Sequence, residues 1–246
     1  PIVMPRMDMV LGCYWMTKSV DGERGEGMAF ANPNQAITAF DLGVITFRAK
    51  IKVLGSTKAR YTKFDGKPFE TTVGRLFFNS IFPDDFPYMN EEITIKRMSL
   101  LVDELIMHYG IDATPSVLDK IKQFGFQYAT YSGVTWGIDN VRVPEGKGAI
   151  VAKGRKQEEV VRDQFAEGLL SEDEQYQKVI EIWENAKKEI EKIIPETLDV
   201  RGSTYDLITS GARGNMGSLV QMCGMKGLIV NTSGATLDFP IIPSYI

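Results

Sequence analysis

The sequence predicts an α+β fold: a mixed body of short strands and helices, then an antiparallel helical hairpin that forms a coiled-coil arm. Three patterns predict it. In residues 44–53, Ile45, Phe47, Ala49, Ile51 and Val53 alternate with Val44, Thr46, Arg48, Lys50 and Lys52, the period of a half-buried strand. In residues 91–109, Ile95, Met98, Leu101, Val102, Leu105 and Ile106 recur at helical spacing, one apolar stripe of an amphipathic helix. From residue 150 the chain turns charged, and Tyr176, Val179, Trp183, Ala186, Ile190 and Ile193 step by three and four, a heptad-like seam.

Bulk properties bound the function. The chain has 246 residues, with 43% hydrophobic and 24% charged positions, enough for one large or two small globular domains. Its net charge is −4 and its pI about 5.3. A free-standing nucleic-acid binder is normally basic, so only local arginines are candidates for phosphate contact. The two cysteines, Cys13 and Cys223, have no metal-ligand pattern around them; this fits a reducing cytosol. No membrane span or signal peptide is read from the sequence. The chain opens on Pro1 and stops at Ile246 in an apolar run, which reads as a piece excised from a longer polypeptide.

The elements follow in order. Residues 1–18 form an apolar run rich in β-formers, including Pro1, Ile2, Val10, Leu11, Tyr14 and Trp15, between prolines and a turn at Asp21 and Gly22, the marks of an extended segment. Asn32 caps and Pro33 opens a short helix through Phe40, which Gly43 ends. The alternating strand follows. Thr71 to Asn79 include Arg75, which reads as a surface arginine starting a helix or as one facing a channel wall or nucleic acid, as the resemblance described below implies. The helix of residues 91–109 is closed by Gly110. Another starts at Thr114, Pro115 and Ser116, carries Val117, Leu118, Ile121 and Phe124, and reaches Gly125. His108, the single histidine, sits late in a helix, where packing or the helix dipole accounts for it.

The charged hairpin occupies about residues 150–195. Its first helix offers Val161 and Phe165; Gly168, Leu169 and Leu170 make the turn; Ser171 and Glu174 form a capping box for the second helix, which Pro195 stops. Either the hairpin packs on the body, or it projects and uses Leu169 and Leu170 as a docking tip, since exposed leucines at a turn call for a partner.

The stretch richest in chemistry lies near the end. Ser210, Gly211, Ala212, Arg213, Gly214 and Asn215 place an arginine between two glycines. Glycine permits backbone angles and approaches that a Cβ blocks. A guanidinium there stays charged and can grip phosphate bidentately. A helix from Asn215, with Met216, Leu219, Val220 and Cys223 at helical spacing and Gly224 as its stop, would add N–H groups beside it. The plain alternative is a glycine turn with a solvent-exposed arginine.

The wording of several stretches goes further. S-G-A-R-G-N followed by Q-M-x-G-M-K-G-L resembles the segment of the bacterial RNA polymerase β′ subunit just before the bridge helix, often called the F-loop. D-M-V-L-G from Asp8, T-T-V-G-R-L from Thr71, the run from Gly125 to Gly133, and G-L-L-S-x-x-E-x-Y-x-K-V-I-E-I-W from Gly168 resemble the same subunit in the same order. Four positions depart: Arg6 and Met7 replace Ser-Gln, Ser218 replaces a glutamine, and Tyr245 replaces Phe. The resemblance implies a pore (secondary-channel) domain over residues 1–140. A funnel domain over residues 141–246 follows, with the coiled-coil rim at about 150–195 and the F-loop at about 205–230. It implies DNA-templated RNA synthesis by a cytoplasmic, nucleoid-associated enzyme, with other β′ segments, the β subunit and further subunits as partners. Arg213 would contact the NTP phosphates, with Ser210, Gly211, Gly214, Gln221 and Met225 forming the F-loop around it. Arg75 becomes a channel-wall candidate, and Leu169 and Leu170 a dock for secondary-channel transcription factors.

No catalytic residue is assigned. Nucleotide addition needs two divalent cations held by carboxylates. The adjacent acids here, Asp84 with Asp85, Glu91 with Glu92, and Glu172 to Glu174, lack the family's D-x-D-G-D spacing. The resemblance implies that the catalytic aspartates lie upstream of Pro1 and that Mg2+ is bound outside this chain, so the segment alone is expected to be inactive. A docking module with no substrate contact is the alternative reading.

Overall fold

A computed structural model describes residues 3–246; Pro1 and Ile2 of the opening run lie outside the described residues. It has an α+β fold, mostly helical, and divides into two compact units. The first comprises residues up to Val134 together with Asp206–Arg213; the second comprises Thr135–Tyr205 and Gly214–Ile246. No helix among the described residues is long and apolar enough to cross a membrane.

The first unit is built around helix α1, Asp8–Thr17. Val10, Leu11, Gly12, Cys13, Tyr14, Met16 and Thr17 are all buried. This corrects the extended reading of that run. A helix apolar on every face shows no helical period, so its sequence cannot be told from a buried strand. α2, Pro33–Asp41, is capped as expected: the Asn32 side chain accepts from the Gln35 N–H at 2.9 Å. Gly43 ends it at φ 69°.

The sheet is small. β1 (Ala29–Phe30) pairs parallel with β2 (Ile51–Leu54), and β2 pairs antiparallel with β3 (Pro68–Thr71), with Lys52 opposite Glu70 and Val53 opposite Phe69. The strand expected over residues 44–53 is thus present only at its end. Ile45, Ala49, Ile51 and Val53 are indeed buried. The backbone ahead of Ile51 bonds elsewhere: Thr46 N–H to Arg24 O at 3.1 Å, Val20 N–H to Arg48 O at 3.0 Å, and Gly74 N–H to Phe47 O at 2.8 Å. Alternating burial therefore arises without a ladder.

α3, Val73–Ser80, starts at Thr72, whose side chain accepts from the Arg75 N–H. α4, Ile95–Ser132, contains non-helical backbone at Gly110 (φ 76°, ψ 178°). The two helices read from the sequence are its two arms, and Gly110 breaks them as expected. Gly125 does not end the second arm. It is buried within the helix because α1 passes against it: a Cβ on Gly12 would lie 1.9 Å from Gly125 O, and one on Gly125 would lie 2.3 Å from Met9 O. The glycine serves close approach, not termination. One cluster of this unit joins Val10, Cys13, Phe78, Met98, Leu101, Leu105 and Ile121; a second joins Ile51, Val53, Tyr61, Phe69, Val73, Leu76 and Tyr88.

The second unit is organised on two helices, α5 (Lys147–Ala166) and α6 (Glu172–Thr197), about 30 and 39 Å long at 1.5 Å per residue. The Ser171–Glu174 capping box is formed, with Glu174 N–H to Ser171 Oγ at 3.3 Å and Ser171 N–H to Glu174 Oε2 at 2.9 Å. Val179, Trp183, Ala186 and Ile190 are buried as the seam required, but Ile194 takes the last place expected of Ile193. α6 also runs past Pro195 to Thr197. Proline removes one N–H and crowds the turn before it, and here the helix ends within two residues. After α7 (Ser203–Thr209) and α8 (Met216–Leu219), a wide π turn at Val220–Gly224 leads to an extended tail, bridged at Gly227 with Ile241 and Val230 with Thr236. The tail lies along the hairpin: Tyr176 donates to Thr236 O at 2.8 Å.

Candidate functional site

The segment Asp206–Arg213 belongs to the first unit. Its turn is held mainly by backbone. Ser210 is fully buried; its N–H reaches Asp206 O at 3.1 Å, and its carbonyl accepts from the Ile95 N–H at 2.8 Å. The Ser210 hydroxyl donates to Leu207 O and accepts from the Ala212 N–H, both at 3.1 Å. Gly211 has φ +72°, and a Cβ there would stand 2.5 Å from Ile95 Cγ2, so the position demands glycine twice over. The Arg213 N–H closes on Leu207 O at 3.2 Å. Its side chain is 54% exposed and reaches toward Asp8 Oδ1 at 3.6 Å. The result is a fixed backbone presenting a half-exposed guanidinium.

The rest of the predicted F-loop lies in the second unit. Gly214 has φ +71°. The Asn215 side chain accepts from the Ser218 N–H at 2.8 Å, so one of the N–H groups expected to face an anion is already satisfied. The α-helical part is only Met216–Leu219, too short to add the dipole that the longer expected helix would supply. Gln221 is exposed, whereas Met225 is fully buried. A Cβ on Gly224 would touch Ile194 Cδ1 at 2.9 Å; this piece packs on the base of α6.

Arg75 is drawn inward rather than left at the surface. Its Nε donates to Thr17 O at 2.8 Å, and a terminal nitrogen donates to Asn90 O at 3.0 Å. Burial pulls its pKa below the ordinary arginine value. Its guanidinium ties the end of α1 to the loop before α4. Arg60, which sequence reasoning passed over, does the same elsewhere: it bonds Asn79 O, Phe82 O at 3.0 Å and Asp84 at 2.6 Å. No local pattern marks a residue whose partners lie about twenty positions away.

A third inward charge is Lys18, where α1 ends. Its Nζ lies 2.5 Å from Asp206 Oδ1, with side-chain exposures of 2% and 3%. Nothing in the spacing of the sequence pointed to this pair.

Four of the adjacent acids, Asp84, Asp85, Glu91 and Glu174, have partners within the chain. Asp84 pairs with Lys58 and Arg60, Asp85 accepts from Tyr109, Glu91 pairs with Arg97, and Glu174 serves the cap. Salt bridges and hydrogen bonds hold the Asp84 and Asp85 carboxyls below their ordinary pKa. His108 Nε2 is 3.5 Å from Asp85, an exposed contact at the end of the first α4 arm. Burial raises the thiol pKa of both Cys13 and Cys223.

At the turn of the hairpin, Leu169 is 67% and Phe165 40% exposed, while Leu170 is half-buried. Gly168 allows this turn at φ +75°.

Comparison with known proteins identifies the family. Residues 1–141 match the family described as RNA polymerase Rpb1, domain 3, and residues 161–239 match RNA polymerase Rpb1, domain 4. The chain is 40% identical to the DNA-directed RNA polymerase subunit beta' of Desulforudis audaxviator and 38% identical to that of Desulforamulus reducens, in each case over 98% of the chain and 20% of the relative. The corresponding subunit of Nocardioides sp. is 36% identical over 98% of the chain and 19% of its own length. The chain thus spans about a fifth of the length of the curated relatives it matches. Two consecutive family domains and near-complete alignment to β′ subunits establish that this chain belongs to the RNA polymerase Rpb1 family, on its bacterial β′ branch.

Proposed function

We propose that this chain serves DNA-templated RNA synthesis by lining the secondary channel of RNA polymerase, the path by which NTPs enter and a backtracked RNA 3′ end leaves. Residues 1–140 act as the pore domain and residues 141–246 as the funnel domain. Arg213 meets the triphosphate of the incoming NTP. The observation that carries this reading is the half-exposed Arg213 guanidinium on a turn whose backbone is fixed by Ser210, Ile95 and Leu207. A preorganised cation needs little rearrangement to accept phosphate. The catalytic Mg2+ is held by residues outside this chain, and the other polymerase subunits are its partners in the cytoplasm. Arg75 supports the wall from within, through its bonds to main-chain carbonyls.

The test is Arg213→Ala in an RNA polymerase whose β′ subunit carries this segment. The apparent NTP affinity should fall about tenfold or more, as expected for loss of a charge-assisted contact worth ~1.5–3 kcal/mol. Unchanged NTP concentration dependence and elongation rate would sink the assignment.

A second role is favoured by the exposed Leu169 and Phe165 at the hairpin turn. There the arm docks transcription factors that enter the secondary channel. Alanine at both Leu169 and Leu170 should abolish factor-dependent transcript cleavage while basal elongation continues. Retained factor response would remove the tip from the interface.

A further inference from the structure

We propose that Lys18 and Asp206 are the positioning pair of the Arg213 turn, and that Asp8 holds the Arg213 guanidinium as an intramolecular stand-in for phosphate, a role that rests on the phosphate reading of Arg213 above. The segment Asp206–Arg213 is a short return of the chain to the first unit, after the excursion through Thr135–Tyr205. Two ion pairs tie it to opposite ends of one helix. Asp206 meets Lys18 just past the last residue of α1; Arg213 meets Asp8, the first residue of α1.

The two pairs differ in kind. Lys18 and Asp206 are buried, and their atoms come from positions 188 residues apart. A buried ion pair tolerates few alternative geometries, so the pair restricts where the segment sits. Asp8 and Arg213 are half exposed, and their closest atoms are 3.6 Å apart. An exposed pair of that length contributes little and is easily displaced. A phosphate group, with more negative charge and more acceptor oxygens than a carboxylate, competes well for the same guanidinium. The buried pair thus decides where the turn sits, and the exposed pair decides what the arginine touches while no phosphate is present.

The two carboxylates should then act in opposite directions. In the polymerase assembled with this segment, Asp206→Asn should lower kcat/KM for NTP by about ten- to a hundredfold, chiefly through KM, because a small misplacement of a binding group is costly. Amide exchange across residues 206–213 should speed up, and Asp206→Glu should restore most of both. Asp8→Asn, at a half-exposed position, should instead lower the NTP KM by up to about fivefold, the ceiling for an exposed pair. Unchanged exchange across residues 206–213 in Asp206→Asn would overturn the positioning role, whatever Arg213→Ala does. A KM unchanged or raised by Asp8→Asn would overturn the stand-in role. If Arg213→Ala leaves NTP use untouched, the phosphate reading falls by itself, and the exchange experiment still decides the Lys18–Asp206 pair.

Discussion

The two units of this chain hold themselves together by different means. The first is cross-linked by side chains that reach far along the sequence: Arg60 to Asn79 and Phe82, Arg75 to Thr17 and Asn90, Lys18 to Asp206, and the aromatic group of Tyr61, Phe64, Phe69 and Tyr88. The second rests mainly on the seam between α5 and α6, closed by a capped turn and centred on Trp183, with the tail bonded to it through Tyr176. A body whose ties are long-range can hold a loop in a fixed place, which suits the Arg213 turn. A hairpin whose ties repeat along one stripe can run about 30 Å and leave Leu169 at its turn exposed.

The largest expected effect falls on the seam. Trp183 is 1% exposed, and its Nε1 donates to Glu158 at 2.9 Å. Trp183→Ala should cost ~3–5 kcal/mol and erase exchange protection across α5 and α6. Protection of α1 should persist; equal loss there would break the contrast drawn above. Next comes the helix crossing in the first unit. Gly12→Ala places a Cβ 1.9 Å from a backbone oxygen that cannot turn away, so a loss of ~1–3 kcal/mol or more is expected, read as a lower urea midpoint and faster exchange in α1 and the second arm of α4. A neutral result would mean that the two helices separate freely. The smallest effect is at the cap: Ser171→Ala removes the acceptor for the Glu174 N–H and should cost ~0.5–2 kcal/mol, seen as fraying of the first turn of α6 by amide exchange while Trp183 stays protected.

Legibility in the sequence follows the same division. The hairpin, its seam and its cap were readable because helical period and capping chemistry are local. The Asn32–Pro33 start of α2 and the break at Gly110 were readable for the same reason. The opening run was misread because α1 is buried all round and shows no period. Residues 44–53 were misread as one strand because alternation reports which side is buried, not where the backbone hydrogen bonds go. Of the site, Arg213 and its flanking glycines were visible as a motif, and so was Leu169 at the hairpin turn; Leu170, read with it, is half-buried. Asp8 was noticed only as part of a family-like run, and the inward roles of Lys18, Arg60 and Asp206 left no trace in spacing.

The sequence by itself determined the α+β class, the helical arm, the glycine-bounded arginine and the kinship with β′ subunits, because each depends on residue type at short, regular separations. Only the tertiary structure decided that Gly12 and Gly125 are a crossing point, that Arg75 faces inward, and that Asp206 is fixed to Lys18 across 188 residues. Burial makes those choices. A charge or a bare backbone taken out of water must find its complement wherever the fold brings one, and separation along the chain carries no record of which complement that is.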